Sequence, residues 1–161
     1  MGQLTEADYL VIGAGSAGCV LANRLTENNE STVTLVEAGG PDRWWNWKVH
    51  MPSALAYPLA DNKYNWAYFS EPERHLDDRR MYCPRGKIWG GSSSINGMAY
   101  VRGHALDYER WSLFSGCEGW SYSECLPYFK KAESIDIGGD DYRGGVGPLQ
   151  VTAGKMENPL Y

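Results

Sequence analysis

The chain has 161 residues, with 20 acidic and 15 basic side chains and a formal net charge of −5. Apolar residues make up 43% and charged residues 22%, a globular balance that excludes a disordered or fibrous chain. The acidic balance leaves no basic excess for a phosphate backbone, which argues against a nucleic-acid partner, and no apolar run reaches the about 18 residues that read as a membrane span.

The start, Met1 to Asp8, has no basic region ahead of a long apolar stretch, so no signal peptide is read there, and Glu6 stands where a myristoylation signal wants Ser or Thr. The run Tyr9-Leu10-Val11-Ile12 reads as a strand covered on both faces, as in a parallel sheet. The turn Gly13-Ala14-Gly15-Ser16-Ala17-Gly18 follows, then a helix over Cys19 to Leu25 and a second strand over Val33 to Glu37. Strand, glycine turn, helix and strand in succession make a βαβ unit with a right-handed crossover. Ala38-Gly39-Gly40-Pro41 ends it.

Beyond this unit, one short helix is expected within residues 49–59, starting at Pro52. Residues 66–70 and 80–83 read as two strands of a hairpin around the polar loop His75-Leu76-Asp77-Asp78. His104 to Phe114 reads as a helix with Leu106, Tyr108, Trp111 and Phe114 as its buried positions. Ser121 and Glu124 have capping-box spacing for a helix to Glu133, which Pro127 must kink or restart. The tail from Gly144 to Val151 reads as turn, then strand.

Gly13-x-Gly15-x-x-Gly18 sits after a strand and opens a helix, the context that a dinucleotide fingerprint requires. Gly13 permits the tight turn, Gly15 lets backbone approach a pyrophosphate, and Gly18 lets helix and strand pack closely. Unpaired amides and the helix dipole then face the phosphates. Glu37 is placed to accept hydrogen bonds from ribose hydroxyls and would repel a 2′-phosphate, which disfavours NADP. This much fits FAD and NAD alike.

A second constellation runs from Arg85 through Gly97: Arg-Gly-Lys-Ile-Trp-Gly-Gly-Ser-Ser-Ser-Ile-Asn-Gly. Paired glycines before three hydroxyl residues are entropically costly to order, so such a segment wraps a ligand closely or frames a turn. Gly90 and Gly91 would bring backbone amides against phosphates or a ring, and Asn96 can both donate and accept.

Together, residues 8–18 and 86–96 resemble the glucose–methanol–choline oxidoreductases. Tyr64-Asn65-Trp66, Arg102-Gly103-His104-Ala105, residues 107–111 and residues 125–132 support the likeness, which covers nearly the whole chain. The resemblance implies a Rossmann-like α/β fold. It begins with a βαβ dinucleotide unit over 8–40 and continues through a hairpin over 62–84, a flavin-contacting loop over 85–103 and a helical extension over 104–161. It further implies FAD, with Gly13, Ala14, Gly15, Ser16, Ala17, Gly18, Glu37 and Ala38 on the ADP half. Trp66, Gly90, Gly91, Ser92, Asn96, Gly97, Met98 and Ala99 would line the flavin or its pyrophosphate. Ile95 stands where some members tether FAD to a histidine, so the flavin is expected to be non-covalent.

The implied reaction is oxidation of an alcohol, with a choline-like substrate first, and the electron acceptor is left open between oxygen, a respiratory quinone and another carrier. The family's catalytic histidine and its companion lie in a carboxyl-terminal substrate domain, so no catalytic residue is assigned here and the chain reads as the amino-terminal part of a larger two-domain flavoenzyme. His50, His75 and His104 have no placed partner in the sequence and are not promoted to general base. Trp44, Trp45, Trp47 and Trp89 read as packing residues rather than a quaternary-ammonium cage. Cys19, Cys83, Cys117 and Cys125 lie too far apart for a zinc knuckle or redox pair and read as reduced thiols of an intracellular protein, peripheral to a membrane if bound to one, with no metal. An NAD-binding Rossmann dehydrogenase, another alcohol oxidoreductase of the same family and a non-catalytic flavin-binding module stay open as alternatives.

Overall fold

A computed structural model describes residues 6–154, and the chain divides into two units, one up to Ala99 and one from Tyr100. Residues 155–161 of the expected helical extension lie outside the described residues.

In the first unit the apolar run forms β1 (Tyr9–Ile12), parallel to β2 (Val33–Val36) in the register Tyr9↔Val33 through Ile12↔Val36. The crossover is α1 (Ser16–Leu25). It starts three residues before the expected Cys19, because Gly15 is extended (φ −80°, ψ −173°) and the small residues behind it fit the first turn. The Asp8 carboxylate closes the outer end of the pair, accepting from the Thr32 amide at 2.7 Å and its hydroxyl at 2.8 Å. Those bonds, the amide's first, hold the Asp8 carboxyl below its ordinary value. Tyr9, Leu10 and Ile12 are exposed, where the sequence predicts cover on both faces. The sheet has two strands among the described residues, and one crossover helix covers one face of a strand pair.

The single helix expected from Pro52 is instead three short pieces, α2 (Trp47–His50), a 3₁₀ turn at Pro52–Ala54 and α3 (Ala56–Leu59). Proline pushes its predecessor out of the helical region, and Met51 is extended (φ −93°, ψ 114°). The hairpin forms as expected but shorter, with β3 (Tyr68–Phe69) antiparallel to β4 (Tyr82–Cys83). Left-handed backbone at Ala67 (φ 52°) cuts it at one end, and past Phe69 the Ser70 hydroxyl accepts from the Met81 amide at 3.0 Å. Its loop holds a 3₁₀ turn at Arg74–Leu76 followed by left-handed Asp77 and Asp78. The core of this unit is Tyr64, Ile88 and Ile95, with Val49 and Leu59 packed against them.

The second unit contains α4 (Ala105–Ser112), α5 (Tyr122–Ala132), β5 (Glu133–Ile135) and β6 (Leu149–Val151), the two strands parallel. The capping box forms at the expected place, with the Ser121 amide donating to Glu124 Oε2 at 3.1 Å. Pro127 sits inside α5 and does not restart it. Tyr108 carries the α4–α5 contact, with ring centroids 5.9 Å from Tyr122 and 5.6 Å from Phe129. Leu106, Trp111 and Phe114, expected to be buried, are exposed, because one neighbouring helix covers one stripe of α4.

At the start of β5, Glu133 is fully buried. Its carboxylate accepts from Arg102 Nη2 at 2.7 Å, the Gly144 amide at 2.9 Å and Arg143 Nη1 at 3.4 Å. Burial works to raise this carboxyl, yet the Gly144 amide and the Arg102 guanidinium together hold it below its ordinary value. The glycines beside it have no room for a side chain. A Cβ on Gly144 would lie 1.9 Å from the Lys130 carbonyl oxygen, and one on Gly147 would lie 2.4 Å from the Glu133 nitrogen.

Candidate functional site

Three segments of the first unit meet at the carboxyl ends of β1 and β2: the 13–18 turn, the stretch just past β2, and the 86–91 turn. The conformation of the first turn follows from its glycines. Gly13 is left-handed (φ +96°), and its amide continues the strand ladder to the Val36 carbonyl at 2.7 Å. A Cβ on Gly18 would fall 1.9 Å from the Gly13 carbonyl oxygen and 3.3 Å from Val11, so a side chain there would drive α1 off β1. Gly15 has open space where a Cβ would stand.

No side chain caps α1, and the amides of Gly15, Ser16 and Ala17 have no acceptor among the described residues. Uncapped amides at the positive end of a ten-residue helix, over an open glycine, form a cradle suited to a pyrophosphate. The residues present therefore fit the diphosphate of a dinucleotide.

Glu37 lies one residue past β2 and both of its oxygens are engaged. Oε2 accepts from the Ala14 amide at 2.7 Å and Oε1 from the Gly39 amide at 2.9 Å. It therefore ties the first turn to the end of β2, and each oxygen keeps a lone pair with which to receive a ribose hydroxyl. Ala38, beside it, is exposed.

The 86–91 turn docks onto this frame. The Gly90 amide donates to the Ala14 carbonyl at 2.7 Å, and the Trp89 amide to the Gly40 carbonyl at 3.1 Å. Gly91 (φ +59°) packs so closely that its Cβ would lie 2.8 Å from Gly15 Cα, and a Cβ on Gly39 would lie 2.1 Å from the Lys87 carbonyl. The two glycine-rich turns thus touch, as the sequence requires if one ligand is to span both. One expectation is corrected. The amides of Gly90 and Gly91 do not face outward for a ligand, since Gly90 bonds Ala14 and Gly91 bonds the Ile88 carbonyl at 2.7 Å. The Gly90 and Gly91 amides are thus satisfied within the protein, whereas those of Gly15, Ser16 and Ala17 have no acceptor among the described residues.

The other expected residues surround this junction less closely. The Ser92 hydroxyl accepts from the Gly86 amide at 3.0 Å and closes the second turn on itself. Trp66 stacks on Tyr68 with centroids 6.0 Å apart, and Lys87 Nζ lies 4.7 Å from its ring centroid. Asn96, Gly97, Met98 and Ala99 are exposed, with Asn96 Oδ1 accepting from the Met98 amide at 2.9 Å and Met98 left-handed at φ 58°. Asn96 and Met98 line a cavity of about 260 Å³ together with His50 and Leu55, on the flank of the second turn. Ile95 is buried in the core and carries no nucleophile. His50 pairs with Asp42 at 2.9 Å, His104 caps α4 by accepting from the Leu106 amide, and His75 lies in the hairpin loop, so each has a structural place.

Asn65 is the residue that sequence reasoning missed. It is buried, its Oδ1 accepts from the amides of Ala67 at 3.0 Å and Arg85 at 2.9 Å, and its Nδ2 donates to the Leu59 carbonyl at 2.9 Å and the Tyr82 hydroxyl at 2.6 Å. It fixes both Trp66 and the entry to the second turn. Only its position before Trp66 hinted at this, since an isolated asparagine has no pattern to read. Among the described residues no group of His, Cys, Asp and Glu is placed to hold a metal ion, and all four cysteines are free.

A family model described as GMC oxidoreductase matches residues 7–161. The oxygen-dependent choline dehydrogenase of Chromohalobacter salexigens is 59% identical over 162 residues, covering 100% of this chain and 29% of that protein. The protein of the same name from Burkholderia cenocepacia is 59% identical over 157 residues, covering 97% of this chain and 28% of that one. Among solved structures, pyridoxine 4-oxidase from Mesorbium loti superposes with a TM-score of 0.79 at 36% identity, over 90% of this chain and 28% of that one. A formate oxidase from Aspergillus oryzae RIB40, studied for FAD modification, gives 0.74 at 33%, over 91% of this chain and 26% of that one. The chain thus spans less than a third of the length of the relatives it matches.

Proposed function

This chain belongs to the GMC oxidoreductases, and on that premise we propose that the whole protein is an FAD-dependent alcohol oxidoreductase that takes choline to betaine aldehyde. The substrate rests on the 59% identity to oxygen-dependent choline dehydrogenases across the full chain. FAD is the cofactor that the family implies, and when bound it supplies the hydride acceptor. The observation that carries the reading is the docking of the second glycine turn on the first, with the Gly90 amide 2.7 Å from the Ala14 carbonyl above an uncapped helix start. A plain NAD site has no use for that second turn.

In this reading the chain contributes the cofactor-binding part. The free amides of Gly15, Ser16 and Ala17 hold the pyrophosphate, Glu37 receives the ribose, and Trp66 and the 96–99 segment border the flavin. Ile95 offers no group for covalent attachment, so the flavin is held without a bond to this loop. The general base and most of the substrate pocket belong to the part that the longer relatives have in addition. No helix among the described residues is long and apolar enough to cross a membrane. The relatives' name favours oxygen as electron acceptor over a membrane quinone.

The test is made on full-length protein. It should purify with flavin absorbance that passes wholly into the supernatant after acid precipitation, and choline should reduce an added dye and consume oxygen. Protein without flavin, or with NAD bound in its place, overturns the reading. Flavin that stays with the precipitate overturns the non-covalent assignment, and dye reduction without oxygen uptake moves the acceptor to a quinone.

A further inference from the structure

We propose that the Gly90 amide is a positioning group for the pyrophosphate, acting through the Ala14–Gly15 peptide plane without touching the nucleotide. This rests on the dinucleotide reading above and assigns a new task to the second turn. A trans peptide is planar, so its carbonyl oxygen and its N–H point in opposite directions from one rigid unit. The plane in question has the Ala14 carbonyl at one end and the Gly15 N–H at the other. The carbonyl end is gripped by the Gly90 amide at 2.7 Å and by the Cys19 thiol at 3.3 Å. The N–H end has no partner among the described residues and belongs to the cradle at the start of α1.

Fixing the carbonyl therefore fixes the direction in which the Gly15 N–H points. A donor on the carbonyl also polarises the peptide and strengthens its N–H as a donor, since hydrogen bonds in a chain reinforce one another. The preceding peptide is held too, by Glu37 Oε2 on the Ala14 amide, so this donor is set before any ligand arrives. Gly91 shows how little slack remains, since a Cβ there would stand 2.8 Å from Gly15 Cα. The second turn thus sits behind the phosphate donors as a backing, and binding at the first turn and order in the second are coupled. Such coupling is reciprocal.

ADP is the probe, because it carries the pyrophosphate without the flavin. In apo full-length protein, ADP should slow hydrogen exchange in peptides covering 86–95 as well as in those covering 13–20. Gly91→Ala should weaken ADP binding about ten-fold, within the usual range of coupling between sites, and the unfolding midpoint of the apo protein should fall as well, since the methyl group meets Gly15 on a left-handed backbone. Wild-type protein that binds neither FAD nor ADP strikes the dinucleotide reading itself. Wild-type protein that binds both, with protection at 13–20 and none at 86–95, overturns the positioning role alone. So does a folded Gly91→Ala protein whose ADP affinity stays within two-fold of wild type. If that variant does not fold, the exchange experiment on wild-type protein decides.

Discussion

The two units each contain one dense polar cluster, and they are built in opposite ways. The cluster at the ends of β1 and β2 is made almost entirely of backbone, and among the described residues the Gly15, Ser16 and Ala17 amides have no acceptors. The cluster at the start of β5 is made of charged side chains, with a fully buried Glu133 that receives two arginines and the Gly144 amide. Unused donors at an open helix start suit a ligand, which can complete them. A buried carboxylate already surrounded by donors has nothing left to offer, so its task is to hold the chain together. The contrast separates function from architecture more clearly than the charge of either cluster does.

The sharpest way to break that contrast is at Glu133. Glu133→Ala leaves Arg102 buried without its partner, which costs about 3–5 kcal/mol in a buried pair, read by urea unfolding. FAD bound per folded molecule should not change, and a variant of unchanged stability that loses FAD would exchange the roles of the two clusters. The same group sets a pH dependence. Its carboxyl is held below the ordinary value in the folded protein, so its contribution is complete above the usual glutamate range and is lost as pH falls through the depressed value. The stability gap between wild type and Glu133→Gln should therefore shrink on acidification below pH about 4, measured by thermal unfolding.

At the other cluster, Gly18→Ala pushes a methyl group onto the Gly13 carbonyl, an overpacking that costs about 1–3 kcal/mol and also tilts the phosphate amides. FAD retention on gel filtration should be lost before the fold is. Gly13→Ala meets no atom and is penalised by its left-handed backbone alone, about 1–2 kcal/mol, with a correspondingly smaller fall in FAD affinity by titration. The smallest effect is expected from Glu37→Gln, where one of two amide bonds is lost and the hydroxyl-facing lone pairs are partly kept. It should cost about 0.5–1.5 kcal/mol of stability and weaken FAD more than flavin mononucleotide, which lacks the adenosine ribose.

Much of this was legible in the order of residues. Gly13 makes the tight turn and Gly18 lets helix and strand pack closely, as their spacing predicts, and the capping box at Ser121 and Glu124 forms where it is written. These features are set within a few residues, by allowed dihedral angles and short hydrogen bonds, so sequence alone specifies them. The departures have two origins. The helix expected from Pro52 is broken where proline holds Met51 extended, and the expected buried face of α4 is exposed because periodicity says which side of an element is apolar but not whether a neighbour arrives to cover it.

The partnership between segments far apart in the chain is settled by folding alone. From sequence Gly90 and Gly91 read as ligand-facing, yet folding turns the Gly90 amide to Ala14 of the other turn and the Gly91 amide to Ile88 of their own. Asn65 and Glu133 are ordinary residues until burial surrounds them with donors and acceptors. The physical reason is that a backbone amide or a carboxylate carries no mark of its future partner. Its role is fixed by which group reaches it first once the chain has closed and water has been excluded.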